Sequence, residues 1–356
     1  MKYFNVWVDG RAKFDTSEKA EAILRFIAEH APVKPDLCGV YEPFRTPFSL
    51  SNLLPAIGML VNKEKQRLTP DMPSGDIFLV HKKKPRCTYR IEWSRGPHTP
   101  FGKSSCYVEA AYVRDPKHLT GWLAFCFKLL ELLDAWYAQF FLDEELEHKD
   151  VVIWQTPPRP GFPEGIQREE FVSRPWIHED GLPGVYWGNY LGPFYVDWFG
   201  REKFETLPCV HKQWLDTGGI FFTIAPTPFD WNNPAAKQLE REVRQHLGAD
   251  AFFDIEPVRA RIEELRQSMG GFLPDNFDLR TLVPPCRKPE FPFVDELRPK
   301  AKTQEEEIAE ARRYFEHFGF TFEGMEGNSM IFRDAKGEVT KVNVGPGGKV
   351  EHWPKV

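Results

Sequence analysis

The chain has 356 residues and a formal net charge of −6, with 46 Lys and Arg against 52 Asp and Glu. Its hydrophobic content of 42% and charged content of 28% are typical of globular proteins and exclude a disordered or collagen-like chain. The acidic balance and the absence of a basic tail argue against a dedicated binder of duplex nucleic acid. Because roughly 150 residues make one domain, this length predicts about two domains.

The first part of the chain alternates between strand-like and helix-like segments. Residues 17–30 predict a helix, with Ser17 as the N-cap and apolar side chains that recur at helical spacing. The other elements predicted up to residue 113 are strands at 2–9, 36–42, 76–80, 87–93 and 105–113 and a helix-like run within 49–64. The last two strands alternate polar and apolar residues, which is typical of a meander.

The longest apolar-rich run, 119–142, lies in a segment predicted as one helix over 117–146. Charged and polar side chains interrupt the run, which therefore indicates a buried helix rather than a membrane span. The carboxylates at the end of this helix are expected to form a solvent-exposed face: Asp143, Glu144, Glu145 and Glu147. A short apolar run at 151–154 predicts a buried strand.

The N-terminus and the cysteines indicate a cellular compartment. The chain becomes charged at Asp9 and holds no apolar core of a signal peptide before that point. The cysteines are scattered and form no C-x-x-C pair, which is typical of buried thiols in a reducing compartment: Cys38, Cys87, Cys106, Cys126, Cys209 and Cys286. We therefore expect a cytoplasmic protein without a membrane partner.

The second half of the chain begins after a proline-rich connection at 156–183, because repeated proline prevents both helix and strand pairing. The elements predicted beyond it are a strand at 184–191, a helix at 193–206, a hairpin of strands at 209–215 and 219–226, a helix at 233–247 and a strand at 251–255. The helix at 233–247 has Asn233 as its N-cap and Gly248 as its C-cap. This βαββαβ order predicts a ferredoxin-like unit.

The glycines around the hairpin are predicted to shape turns. Gly192 precedes the helix at 193–206, and Gly218 and Gly219 follow the turn residue Asp216. Gly218 is expected to supply a positive φ angle, which side chains other than glycine rarely adopt.

The fold class expected for the whole chain is α+β, with mixed or antiparallel sheets and a small C-terminal appendage. That appendage is predicted as one helix at 303–318 and three short strands, which hold little core for independent folding. The predicted domain boundaries are an N-terminal half at 1–155, the connection at 156–183, the ferredoxin-like half at 184–273, a proline-rich linker at 274–300 and the appendage at 301–356.

Catalytic and metal-binding motifs are missing from the sequence. It contains no nucleophile elbow, no H-E-x-x-H, no P-loop and no dinucleotide-binding glycine motif. His178, Glu179 and Asp180 form a polar cluster in the proline-rich connection, where such residues are ordinarily solvated. His211 and Asp216 are five residues apart at a strand and point to opposite faces. We therefore expect no catalytic residue, no metal and no cofactor.

Aromatic residues are concentrated between Tyr186 and Phe199. Core packing explains many of them, but Tyr and Trp are also enriched at protein interfaces. The residues predicted to bind a partner are Trp187, Tyr190, Tyr195 and Trp198, together with the acidic Asp180 and Asp216.

Two segments in this region resemble a known family. Residues 181–204 read GLPGVYWGNYLGPFYVDWFGREKF, and residues 215–230 read LDTGGIFFTIAPTPFD. The Trp-x-Asn-Tyr-x-Gly-Pro junction before a helix, followed by a glycine turn and an apolar strand, resembles the immunity protein 52 family and related type VI secretion immunity domains. Members of that family neutralise a cognate bacterial toxin by binding it. The tail beyond residue 275 departs from the pattern.

Three functions stay open from the sequence. The resemblance implies a non-catalytic immunity protein whose partner is a cognate protein toxin. A second hypothesis is a hydrolase-like enzyme with a site near the proline-rich connection that uses His178, Asp180 or His211. A third is an adaptor module of a larger assembly. A deep polar pocket with a strongly perturbed carboxylate or histidine would favour the enzyme. The sequence leaves the oligomeric state open.

Overall fold

The computed structural model describes residues 2–61, 74–94, 102–171 and 181–274, and parts of the chain from 277 to 343. The chain divides into two compact units. The main unit comprises Met1–Asn62, Gly75–Ser94 and Thr99–Phe291, and the small unit comprises Lys63–Ser74, Arg95–His98 and Pro292–Val356.

A ten-stranded sheet forms the centre of the main unit. Its strands are β1 (Tyr3–Gly10), β2 (Leu37–Gly39), β3 (Thr46–Pro47), β4 (Ser74–His81), β5 (Cys87–Ser94), β6 (Gly102–Glu109), β7 (Ala135–Leu142), β10 (Gly188–Leu191), β11 (His211–Trp214) and β12 (Ile220–Thr223). They follow the spatial order β11-β12-β10-β7-β1-β6-β5-β4-β2-β3. Because β7 pairs antiparallel with both β1 and β10, the sheet continues from the first half of the chain into the second.

Helices and a smaller sheet complete the described part of the main unit. The helices are α1 (Ser17–His30), α2 (Leu54–Val61), α3 (Pro116–Leu132), α4 (Asp143–Asp150), α5 (Pro193–Phe199), α6 (Arg201–Glu205), α7 (Pro234–Leu247) and α8 (Ile255–Ser268). Strands β8 (Val151–Gln155) and β9 (Gln167–Phe171) pair antiparallel with each other. The fold is therefore α+β, as the sequence predicts.

The prediction of one long helix over 117–146 is wrong. Helix α3 ends at Leu132, Asp134 adopts a φ angle of 46°, and the chain continues as strand β7. Every residue of β7 is buried. Of its eight residues only Gln139 is strongly polar, so β7 shows no regular alternation of polar and apolar residues. Periodicity alone cannot distinguish such a strand from a buried helix.

The acidic residues after β7 begin a helix instead of ending one. Asp143 is the first residue of α4, and its carboxylate accepts hydrogen bonds from the Tyr3 backbone N–H at 2.7 Å and from the Asn5 side chain at 2.7 Å. Glu145 is fully buried, so the prediction of a solvent-exposed face is wrong at this position.

The predicted ferredoxin-like unit forms only in part. Strands β10, β12 and β11 adopt the expected antiparallel arrangement, but residues 251–255 do not form the last strand. Ala251 ends a 3-10 turn, and Asp254 caps the start of α8 by accepting a hydrogen bond from the Glu256 N–H. The place beside β10 is taken by β7.

The core of the main unit is aromatic and contains most of the thiols. All six cysteines are free, and Cys38, Cys87, Cys106 and Cys126 are buried, whereas Cys209 and Cys286 are half-buried. Burial raises the pKa of the Cys106 thiol to about 12, so this thiol stays protonated and uncharged at neutral pH.

The small unit contains a three-stranded antiparallel sheet of β13 (Thr321–Glu326), β14 (Ser329–Arg333) and β15 (Val339–Asn343). Met330, Phe332 and Val342 form its buried cluster. The three predicted C-terminal strands are therefore present. Among the helices that the structure describes, none is long and apolar enough to cross a bilayer.

Candidate functional site

A buried asparagine holds the chain at the start of β10. The Asn189 side chain accepts a hydrogen bond from the Tyr186 N–H at 3.0 Å and donates one to the Tyr186 carbonyl at 2.8 Å. Asn189 thereby closes a tight loop at the start of β10. Because a buried amide that satisfies backbone groups stabilises one conformation, this part of the family-like motif has a structural role.

Three of the predicted partner-binding residues are core residues. Trp187, Tyr190 and Tyr195 are each 1% exposed or less. The Trp187 indole donates a hydrogen bond to the Ala225 carbonyl at 2.9 Å, and the Tyr190 hydroxyl lies 2.9 Å from the Thr217 hydroxyl. A ring without exposed surface cannot contact a partner in this fold, so their assignment to the binding surface is corrected.

The other predicted partner-binding residues differ in their positions. Trp198 is half-buried, and the Arg287 guanidinium lies over its ring at 4.5 Å. Asp216 is exposed in the turn between β11 and β12. Asp180, like His178 and Glu179, lies outside the described residues. Partner contact therefore stays a prediction for Trp198 and Asp216.

The three predicted turn glycines lie where a side chain would be costly. A Cβ atom at Gly192 would come within 2.6 Å of the Ala135 carbonyl oxygen, and one at Gly219 within 2.5 Å of the Tyr190 hydroxyl. A Cβ atom at Gly218 would make only an ordinary contact, 3.7 Å from the Pro193 ring, but the φ angle of Gly218 is 84°. The positive φ expected at Gly218 is confirmed.

Replacing Gly218 by valine is expected to lower the free energy of unfolding by about 1–3 kcal/mol, because a β-branched residue is strained at positive φ. Gly218→Asn is the matched control, since asparagine tolerates the left-handed region and should cost less. Urea unfolding of both variants measures the difference. Equal stability of the two variants would contradict the backbone explanation.

A buried ionic cluster surrounds Lys149 and was not predicted from the sequence. The Lys149 ammonium lies 2.9 Å from Glu145 Oε1, 2.8 Å from Glu240 Oε2 and 2.6 Å from the Val185 carbonyl oxygen. An ammonium has three protons to donate, and these three acceptors use all of them. Lys149 of α4 thus connects α7 to the segment that precedes β10.

Burial and ion pairing have opposing effects on the pKa values of Glu145 and Lys149. Burial raises the pKa of Glu145 to about 7, although the charge of Lys149 and its hydrogen bond act in the opposite direction. Burial also disfavours the charged form of Lys149, but the Glu145 and Glu240 carboxylates outweigh this effect and raise its pKa. Glu145 Oε2 and the Tyr186 hydroxyl have no hydrogen-bond partner within the described part of the chain.

A cleft with a volume of about 280 Å³ lies on the outer side of this cluster. His148 and Lys149 line it from α4, Lys237 and Glu240 line it from α7, and Trp231 forms part of its wall. The His148 and Trp231 rings are 5.4 Å apart. The sequence holds one local signal of the cluster, the four-residue spacing of Glu145 and Lys149, but Glu240 joins it only through the fold.

The cleft offers charged groups and an aromatic wall but no recognisable metal site. Across the residues that the structure describes, no three His, Cys, Asp or Glu side chains are grouped as metal ligands would be. The charged groups that line the cleft can bind a polar molecule. Glu145, whose pKa is raised to about 7, is fully buried and does not line the cleft.

Comparison with known proteins identifies no family. No protein family profile matches the chain, and no curated protein matches its sequence. Among solved structures, a type VI secretion system protein from Pseudomonas aeruginosa is similar, with 12% identity and a TM-score of 0.39 over 79% of this chain and 88% of that chain.

Proposed function

We propose that this chain is a non-catalytic immunity protein that neutralises a cognate bacterial toxin by direct binding in the cytoplasm. The observation that carries the proposal is that the two segments resembling immunity proteins form one connected unit. Strand β10, from the first segment, pairs with β12, from the second. Hydrogen bonds from Trp187 to Ala225 and between Tyr190 and Thr217 join the same two segments.

The surface next to this unit offers groups suited to a protein partner. Trp198 and Arg287 are stacked, and Trp and Arg are the residues that most often dominate the energy of protein interfaces. A second stacked pair is formed by Trp214 and Arg201, whose guanidinium lies 3.9 Å from the ring centre. Asp216 adds a carboxylate at the turn that follows Trp214.

Co-expression with a toxin encoded beside the gene tests the proposal. The expected result is restored growth and a complex that co-purifies. Trp198→Ala should weaken the complex by about tenfold or more, as interface anchors do, while the fold is retained. Leu132→Ala, at a residue that is 41% exposed on α3, is the matched control and should bind as the parent chain does. If the parent chain neither restores growth nor binds the toxin, the proposal is wrong.

A second candidate function is favoured by the Glu145 cluster. A carboxyl group with a pKa of about 7 can act as a general acid or base at neutral pH, and a cleft lies beside the cluster. Glu145 is fully buried and does not line that cleft, so this candidate requires Lys149 to move aside and open a path to the carboxyl group. Hydrolysis of ester, phosphoester and glycoside substrates by the purified chain tests this candidate. An activity that Glu145→Gln abolishes would support it, and activity unchanged in that variant would exclude Glu145 as its base.

A further inference from the structure

One face of α7 presents a stripe of cations to the cleft. Lys237, Arg241 and Arg244 follow one another at four-residue and three-residue spacing, and all three line the cleft. Such neighbours on a helix repel one another when they carry the same charge. A bound anion would therefore reduce the repulsion within the stripe.

The carboxylates that line the cleft are already engaged with other cations. Glu240 pairs with Lys149 at 2.8 Å, Asp254 with Arg244 at 3.2 Å, and Glu256 with Arg259 at 3.0 Å. Among the residues that the structure describes, this leaves two members of the stripe without a carboxylate partner.

Lys237 and Arg241 are those two cations. Arg241 donates a hydrogen bond to the Gln238 side-chain oxygen at 2.6 Å, which is a neutral acceptor. Lys237 is half-buried, and its ammonium makes no hydrogen bond or ion pair with any residue in the described ranges. Both can direct N–H groups towards a bound anion.

His148 and the start of α8 line the cleft as well. His148 of α4 has a lowered pKa, first because it is buried and then because Arg259 and Lys237 repel its charged form, with Glu256 acting in the opposite sense. Helix α8 begins at Ile255 beside the cleft, where the carboxylates of Asp254 and Glu256 offset the positive end of its dipole.

We propose that this cleft binds a small oxyanion of the phosphate class, free or carried by a small metabolite, between Lys237, Arg241 and His148. The guanidinium of Arg241 suits two parallel hydrogen bonds to phosphate oxygens, and Lys237 supplies a point charge. The volume of about 280 Å³ accommodates a phosphoryl group with a small attached body against Trp231. This site is independent of toxin binding.

Titration of the full chain with inorganic phosphate, at ionic strength held constant with sodium chloride, tests the site. The histidine NMR signal that disappears in His148→Gln identifies the reporter. We expect a saturable shift of this signal and a rise in the pKa of His148, since a bound anion favours the imidazolium form. The absence of a saturable shift in the parent chain would overturn the proposal.

Two variants and one further probe complete the experiment. The Lys237→Met, Arg241→Met double variant should bind phosphate at least about tenfold more weakly. Arg261→Met, on the exposed surface of α8 outside the cleft, should bind as the parent chain does. Equal phosphate affinity in the double variant and the parent chain would refute the site.

Adenosine monophosphate distinguishes the two sources of the oxyanion. If it binds more tightly than inorganic phosphate, the ligand of the site is a phosphorylated metabolite. If the two bind equally, the ligand is the free oxyanion.

Discussion

Lys149→Met is expected to lower the free energy of unfolding by about 3–5 kcal/mol at pH 8, because it leaves the Glu145 and Glu240 carboxylates without their shared cation. The Lys149 side chain is 11% exposed and that of Glu145 is fully buried, so water cannot replace the lost contacts. Urea unfolding followed by circular dichroism measures the loss.

The destabilisation caused by Lys149→Met should increase with pH. The pKa of Glu145 in the folded chain, about 7, lies above its ordinary value of 4.5, so the folded state holds a proton more tightly than the unfolded state does. The contribution of Glu145 to the free energy of unfolding is therefore fully present below its ordinary pKa of 4.5 and is lost as the pH rises towards 7. Without Lys149 the charged carboxylate is still less favourable, and the destabilisation should be smaller at pH 5 than at pH 8.

An exposed ion pair provides the control for Lys149. Lys128 of α3 lies 2.9 Å from Glu131, but its side chain is 59% exposed. Lys128→Met should change stability by less than about 1 kcal/mol, because solvent screens such pairs. Similar losses for Lys128→Met and Lys149→Met would show that the buried cluster does not support the fold.

Trp187→Ala is expected to destabilise the protein by about 3–5 kcal/mol, as removal of a large buried ring does. The ring packs edge-on against Phe4 at 5.7 Å, and its indole N–H satisfies the buried Ala225 carbonyl. The truncation therefore leaves a cavity in the core and an unpaired acceptor. Thermal and urea unfolding both report the loss.

Trp198→Ala is the matched comparison for Trp187, because both change Trp to Ala within the same motif. Trp198 is half-buried and stacks on Arg287 at the surface. We expect a loss of about 1 kcal/mol, in the range of an exposed cation–π contact. If Trp198→Ala lowers the free energy of unfolding more than Trp187→Ala does, then Trp198 and not Trp187 is the core residue.

Local signals in the sequence were sufficient for several elements of this fold. The helix predicted at 17–30 coincides with α1, although Thr16 and not Ser17 supplies the capping oxygen, to the Lys19 N–H. The helix predicted at 233–247 matches α7, with Asn233 as its cap. These predictions succeed because capping and helical periodicity depend on residues a few positions apart.

The predictions that failed involve partners distant in the chain. The helix predicted at 193–206 divides at Gly200, whose φ angle is 94°, into α5 and α6. The strand predicted at 251–255 is absent because β7 already occupies the edge of β10. Pairing between strands is decided by competition across the whole sheet, which no local window of sequence contains.

Residues close together in the chain were enough to specify the α+β class, the capped helices α1 and α7, and the glycine at positive φ in the hairpin. Three other features follow from tertiary packing: 135–142 is a central strand, Trp187 is core while Trp198 reaches the surface, and Glu145 is buried against Lys149, which also pairs with Glu240. Caps and turns depend on neighbouring residues, whereas burial and the pKa of a buried carboxyl depend on which distant elements pack around it.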